Sequence, residues 1–176
     1  METTRNELSK NEKKFFEELS NYLETPILFF GSIQRSDYFP GKSDIDVDIF
    51  TDNESSLIAK MQHFLHVKRS KIKKFVWRLN HNNKVVFGYK IMVKRPELGF
   101  NTEISIYDNS IKEDILYEHI YKTSVPFYIT TMLIILKFLY YNIGILSKPF
   151  FSYWKKKLLT AGIGLPDDDF VVLDKK

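Results

Sequence analysis

The spacing of hydrophobic positions changes several times along this chain, and each change marks an element. Phe15, Leu19, Tyr22 and Leu23 recur at helical spacing within residues 5–23, which predicts an amphipathic helix ended by Thr25-Pro26. The apolar run 26–30 (PILFF) predicts a short buried strand broken at Gly31, followed by a helical turn over 32–36 and a turn at Pro40-Gly41. Ile45, Val47 and Ile49 then alternate with Asp44, Asp46 and Asp48, the period of a strand with one apolar and one acidic face. Leu57, Met61, Phe64 and Leu65 stripe a helix over 54–66. Two β-rich runs, 71–79 and 84–95, flank a polar His81-Asn82-Asn83 tip and predict a hairpin, with a further strand over 101–108. Beyond Asn109 the spacing is helical, over 110–122, 126–142 and 149–160, and the tail 162–176 reads as irregular.

Strands in the first two thirds and helices in the last third give an α+β fold, a mixed sheet with helices packed on it and a C-terminal helical extension. The division expected is a sheet-bearing part, 1–122, and a helical part, 123–176. Residues 126–146 have the length of a membrane span, but Lys137 sits near the middle, where a lipid-facing charge is costly, so the segment reads as a buried core helix with no membrane partner. The first 16 residues are too polar for a secretory signal, and the zero cysteines exclude disulfides, thiolate catalysis and Cys-ligated zinc. Both features point to the cytoplasm. A net charge of +4 suits a phosphate-bearing partner without requiring one.

Three like charges on one strand face need an explanation, because Asp is a poor strand former and same-face neighbours repel. An EF-hand loop is excluded, since its sixth position requires Gly and this chain has Ile49. A cation is the physical remedy: paired carboxylates hold Mg²⁺, with Mn²⁺ as a second candidate, and leave coordination sites for water and phosphate oxygens. Upstream, a strand ending in Gly31-Ser32 presents free backbone N–H groups and a hydroxyl to a polyphosphate. Arg35 and Lys42 flank this loop and are placed for triphosphate contact. His63 and His66 share a helix but lack a third ligand at matching spacing, and no P-loop or nucleophile elbow is present.

Gly31-Ser32, eleven intervening residues and then Asp44-Ile45-Asp46-Val47 resemble the signature of the DNA polymerase β-like nucleotidyltransferase superfamily. The resemblance covers residues 27–50. It implies that 1–122 is a catalytic domain and that Asp44 and Asp46 hold two Mg²⁺ ions. It also implies a third carboxylate on a later strand, Glu103 or Asp108; Glu103 lies inside the alternating run and is the choice, as a third metal ligand and as the base that would deprotonate the acceptor hydroxyl. Nucleoside triphosphate, ATP included, would be bound by Gly31, Ser32, Arg35 and Lys42. Asp48 departs from the family pattern, leaving it as a supporting acid or a surface residue. A looser resemblance links Lys137-Phe138 to the apolar helix of template-independent poly(A) and terminal uridylyl transferases, whose Lys contacts the triphosphate; the alternative is a Lys that snorkels to the surface. The implied reaction is nucleotidyl transfer to an acceptor hydroxyl. An RNA or DNA 3′ end is favoured by the basic runs at 68–74 and 155–157, and a small molecule or protein is the other possibility. Oligomeric state is not legible.

Overall fold

The computed structural model describes residues 3–95 and 99–164, together with the backbone of 170–173. Helix α1 (Lys10–Leu23) begins later than its hydrophobic spacing predicts because Ser9 caps it. The Glu12 N–H donates to the Ser9 hydroxyl and the Ser9 N–H donates to the Glu12 carboxylate, a reciprocal box that fixes the first turn. Phe15, Leu19 and Leu23 are buried as expected, while Tyr22 is exposed and meets His63 at 2.7 Å.

Strands β1 (Leu28–Phe30), β2 (Ile45–Thr51), β3 (Lys73–Arg78), β4 (Val85–Arg95), β5 (Phe100–Asp108) and β6 (Phe170–Leu173) form one sheet, ordered β1-β2-β5-β4-β3-β6. Only β2 and β5 run parallel among the described strand pairs. A parallel pair requires a crossover, and α2 (Glu54–Leu65) with the β3–β4 hairpin supplies it. Residues 170–173 correct the expectation of an irregular tail, since they pair antiparallel with β3. Phe-Val-Val-Leu is a run of strand-favouring residue types, but at four residues it is too short to stand out beside the polar tail, and the edge of β3 provides its partner. The start of that tail is helical as far as Ile163, with Gly164 as the cap, and 165–169 and 174–176 lie outside the described residues.

The alternation of β2 sorts its side chains between two cores. Ile45, Val47 and Ile49 join Ile104 and Ile106 of β5 beneath α1 and α2, with Phe16, Leu19 and Met61 fully buried there. The opposite face carries Asp46, Asp48 and Phe50 on β2 and Glu103, Ser105 and Tyr107 on β5. Helix α3 (Lys112–Thr123) covers the lower part of that face, where Phe50, Phe75, Trp77 and Tyr107 pack with Ile115. The acidic residues therefore occupy the end of this face that α3 leaves least apolar.

Helix α4 (Phe127–Phe138) passes into a π-helical turn, Leu139–Ile143, ended by Gly144 at φ +72°, and α5 (Lys148–Ile163) returns alongside it with Tyr140 stacked on Phe151 at 4.1 Å. The core-helix expectation holds for one side of α4 only: Ile129, Leu133, Leu136 and Lys137 are buried, whereas Phe127, Tyr128, Met132 and Ile135 are exposed. No single helix among the described residues is long and apolar enough to cross a membrane; α3 with its leading turn and α4 with its π turn meet that test only jointly, across an 80° bend.

Candidate active site

The site starts where β1 ends. Gly31 opens a single 3₁₀ turn, Gly31–Gln34, with φ +70°, a conformation that costs an L-residue but not glycine. A second constraint acts on the same atom: a Cβ on Gly31 would run into the Asp46 carboxylate. Phe30 pairs with Asp46 across β1 and β2, so the turn is laid directly against the acidic face.

On that face the parallel register sets Asp46 opposite Glu103. Asp108, the other candidate for the third acid, lies opposite Thr51 at the far end of β5 and accepts from the Ser110 N–H at 2.9 Å, capping the next turn. Asp44 is exposed just before β2. Burial, reinforced by the charges of Glu103 and Asp44, pushes the Asp46 carboxyl up to about 7 against the pull of Lys155 and Lys90. Burial thus works against the charged form of Asp46, while Glu103 has a lysine partner, Lys90, at 2.7 Å.

Gly31, Ser32, Asp44 and Asp46 line one small pocket, about 150 Å³, together with Arg35, Lys137 and Lys155. Lys42 is exposed and stands outside this lining. Arg35 and Lys137 are already engaged. Arg35 forks onto Asp37 through Nε (2.8 Å) and a terminal nitrogen (3.1 Å), and Lys137 donates to the Asp37 carboxylate (2.8 Å) and carbonyl (2.6 Å). Lys137 is 1% exposed, so it does not snorkel to the surface. Burial alone would raise the Asp37 carboxyl, but the hydrogen bonds and charges of Arg35 and Lys137 prevail and hold it at about 2.

Asp48 is not a surface residue. It is 1% exposed and lies 2.6 Å from Nε2 of His119 on α3, whose ring stacks on Phe30 at 4.0 Å. Burial raises the Asp48 carboxyl, with His119 opposing. A larger cavity, about 530 Å³, lies beside this pair between β1 and α3, but its walls are mainly apolar and include neither Asp46 nor Ser32.

Sequence reasoning missed Asp37, Lys155, Lys90 and His119. Lys155 stands in a lysine run that reads as a solvated face, Lys90 and His119 acquire meaning through partners on other elements, and Asp37 joins the nearby Arg35 to Lys137 from 100 residues away. Among the described residues no group of three or more His, Asp or Glu side chains forms a ready metal cluster, and Glu103 is engaged by Lys90 at 2.7 Å. Asp44 and Asp46 nevertheless fit a divalent cation by their chemistry: two carboxylates line one pocket, and burial and neighbouring acids penalise the charge of Asp46 that a cation would offset.

Residues 10–122, well over half of the chain, match the model of the nucleotidyltransferase domain, and the protein belongs to that family. The resemblance drawn from Gly31-Ser32 and the Asp-x-Asp strand is thereby borne out, as is the mixed-sheet α+β fold. No curated protein matches the sequence. Among solved structures, the chain is similar to the RNA terminal uridylyl transferase Cid1 at 15% identity and a TM-score of 0.39, over 78% of this chain and 41% of that one. A cytoplasmic RNA terminal U-transferase gives 15% and 0.39, over 79% and 44%. The STING-associated c-di-GMP synthase CdnE of Capnocytophaga granulosa gives 15% and 0.35, over 86% and 61%. The chain thus spans about two fifths of the length of the terminal uridylyl transferase structures.

Proposed function

We propose that the protein transfers a nucleoside monophosphate from an NTP to an acceptor hydroxyl, with a nucleic-acid 3′ end as acceptor and pyrophosphate as the second product. The observation that carries this reading is the packing of Gly31 on Asp46, which joins a phosphate-binding turn to a carboxylate pair in one pocket. The Gly31-Ser32 turn is suited to the β and γ phosphates, with Lys155 supplying positive charge beside them. Asp44 and Asp46 are the residues that would hold Mg²⁺ or Mn²⁺, whose chemistry is to neutralise phosphate charge and acidify the attacking hydroxyl. Glu103, opposite Asp46 in the register, would join that cation and take the hydroxyl proton once its ion pair with Lys90 opens. The acceptor oxygen then bonds the α-phosphorus while the bond from that phosphorus to the bridging oxygen breaks, and pyrophosphate leaves.

The nucleic-acid acceptor is supported by α5. Lys155 lines the pocket, and on the same helix Tyr153 and Trp154 are exposed with the Lys157 ammonium over both rings, 6.0 and 5.1 Å from their centroids. Exposed rings beside cations are what single-stranded nucleic acid uses for stacking and backbone contact.

The test is incubation with Mg²⁺ and each labelled NTP, with and without RNA or DNA primers. Primer extension that is lost in Asp46→Asn supports the reading. Labelling of a small molecule or protein instead of a primer would move the acceptor, and absence of both nucleotide binding and turnover would overturn the reading as a whole.

A further inference from the structure

The third acid of the site already has a cationic partner. Lys90 Nζ, from β4, lies 2.7 Å from Glu103 Oε1, and the two side chains are only 24% and 27% exposed. Register explains the meeting: Lys90 stands opposite Ser105 and Met92 opposite Glu103, so Lys90 and Glu103 are diagonal neighbours on one sheet face. The same ammonium acts electrostatically on Asp46 and Asp48, and it sits 5.2 Å above the Phe75 ring. One lysine therefore faces three carboxylates of the acidic face from within the sheet.

We infer that Lys90 is a built-in counter-ion of this face, and that it must release Glu103 before Glu103 can serve a divalent cation. Lys90 thereby sets the threshold at which the site loads its metal. The inference rests on the metal-dependent reading given above. An ammonium and a dication compete for the same carboxylate oxygens, and partial burial leaves that competition less screened than at an open surface. Without Lys90 the face carries one more uncompensated negative charge, and cation affinity rises. A lysine that merely held Glu103 in position would act in the opposite sense, since its loss would leave the acid less ordered and affinity lower or unchanged.

The measurement is Mn²⁺ binding to the full chain, followed by the electron paramagnetic resonance of free Mn²⁺ in the absence of nucleotide. Lys90→Met should bind Mn²⁺ more tightly than the native protein by on the order of five- to tenfold, the size of one partly screened charge contact. Lys90→Arg, which keeps the charge, should stay near the native value. Equal or weaker binding by Lys90→Met overturns the inference. If the native protein binds no Mn²⁺ that Asp46→Asn removes, the metal-dependent reading itself fails. A second readout needs no substitution: Mg²⁺ should raise the rate at which an acylating reagent modifies Lys90, followed by mass spectrometry. An unchanged rate at saturating Mg²⁺ also overturns the release of Glu103.

Discussion

Lys137 closes on Asp37 from 100 residues further along the chain, donating to both its carboxylate and its main-chain carbonyl. The contact ties the loop between β1 and β2 to helix α4, and it fixes one lining residue of the pocket that Asp44 and Asp46 share. Removing one member of a buried pair strands the other. Lys137→Met should cost about 2–3 kcal/mol in urea unfolding, less than for an isolated pair because Arg35 still holds Asp37. Asp37→Asn combined with Lys137→Met should recover part of that loss. Because the Asp37 carboxyl is depressed from 3.8 to about 2, the stability it contributes is complete above about pH 4 and fades as pH falls through 2.

Gly31→Ala tests the joint between the phosphate turn and the acid strand. The substitution meets both a positive φ and the Asp46 carboxylate. Nucleotide binding and turnover should both collapse, with a stability loss of about 1–3 kcal/mol by thermal or urea unfolding. A variant that keeps native nucleotide affinity would show that the turn has room to spare.

Asp46 supplies a pH signature. Its carboxyl is raised in the folded protein, from 3.8 to about 7, so the contribution to stability is present at low pH and is lost as pH rises through that window. Asp46→Asn escapes the loss. In chelator, the stability gain of Asp46→Asn over native should be near zero at pH 4, grow towards neutrality and level off above pH 7. Its plateau should be about 2 kcal/mol, half the full shift because the carboxyl retains some solvent. Millimolar Mg²⁺ should shrink the gain; a gain that ignores both pH and Mg²⁺ would contradict the electrostatic account.

His119 is the sole described hydrogen-bond partner of the Asp48 carboxylate, whose second oxygen has none among the described residues. His119→Ala should therefore destabilise by about 2–4 kcal/mol, since it leaves a buried carboxylate without its donor. Asp48→Asn with His119→Ala should be milder than the single histidine change, measured by urea unfolding.

Much of this architecture was legible because its signals are local. The alternation in Asp44–Phe50 named β2, and the Gly31-Ser32 pair with its spacing named the turn. Asp48 shows where local signals end: on the strand it is one more polar residue at period two, and only the arrival of His119 from α3 makes it a buried pair. Lys137 is similar, since a lysine in an apolar helix is explained by Asp37 and not by its neighbours. Lys155 was hidden for the opposite reason, in a run whose members look alike until one of them reaches the pocket.

The pocket's lining also decides the sign of its field. Its carboxylates, Asp44 and Asp46, come from the first part of the chain, while of its three cations only Arg35 does, and Lys137 and Lys155 arrive on α4 and α5. A chain ended at residue 122 would keep both acids and Asp37 and lose two of the three cations, leaving those carboxylates with Arg35 as the remaining cation of the lining. The C-terminal helices are in this sense the part of the chain that balances the charge of the pocket.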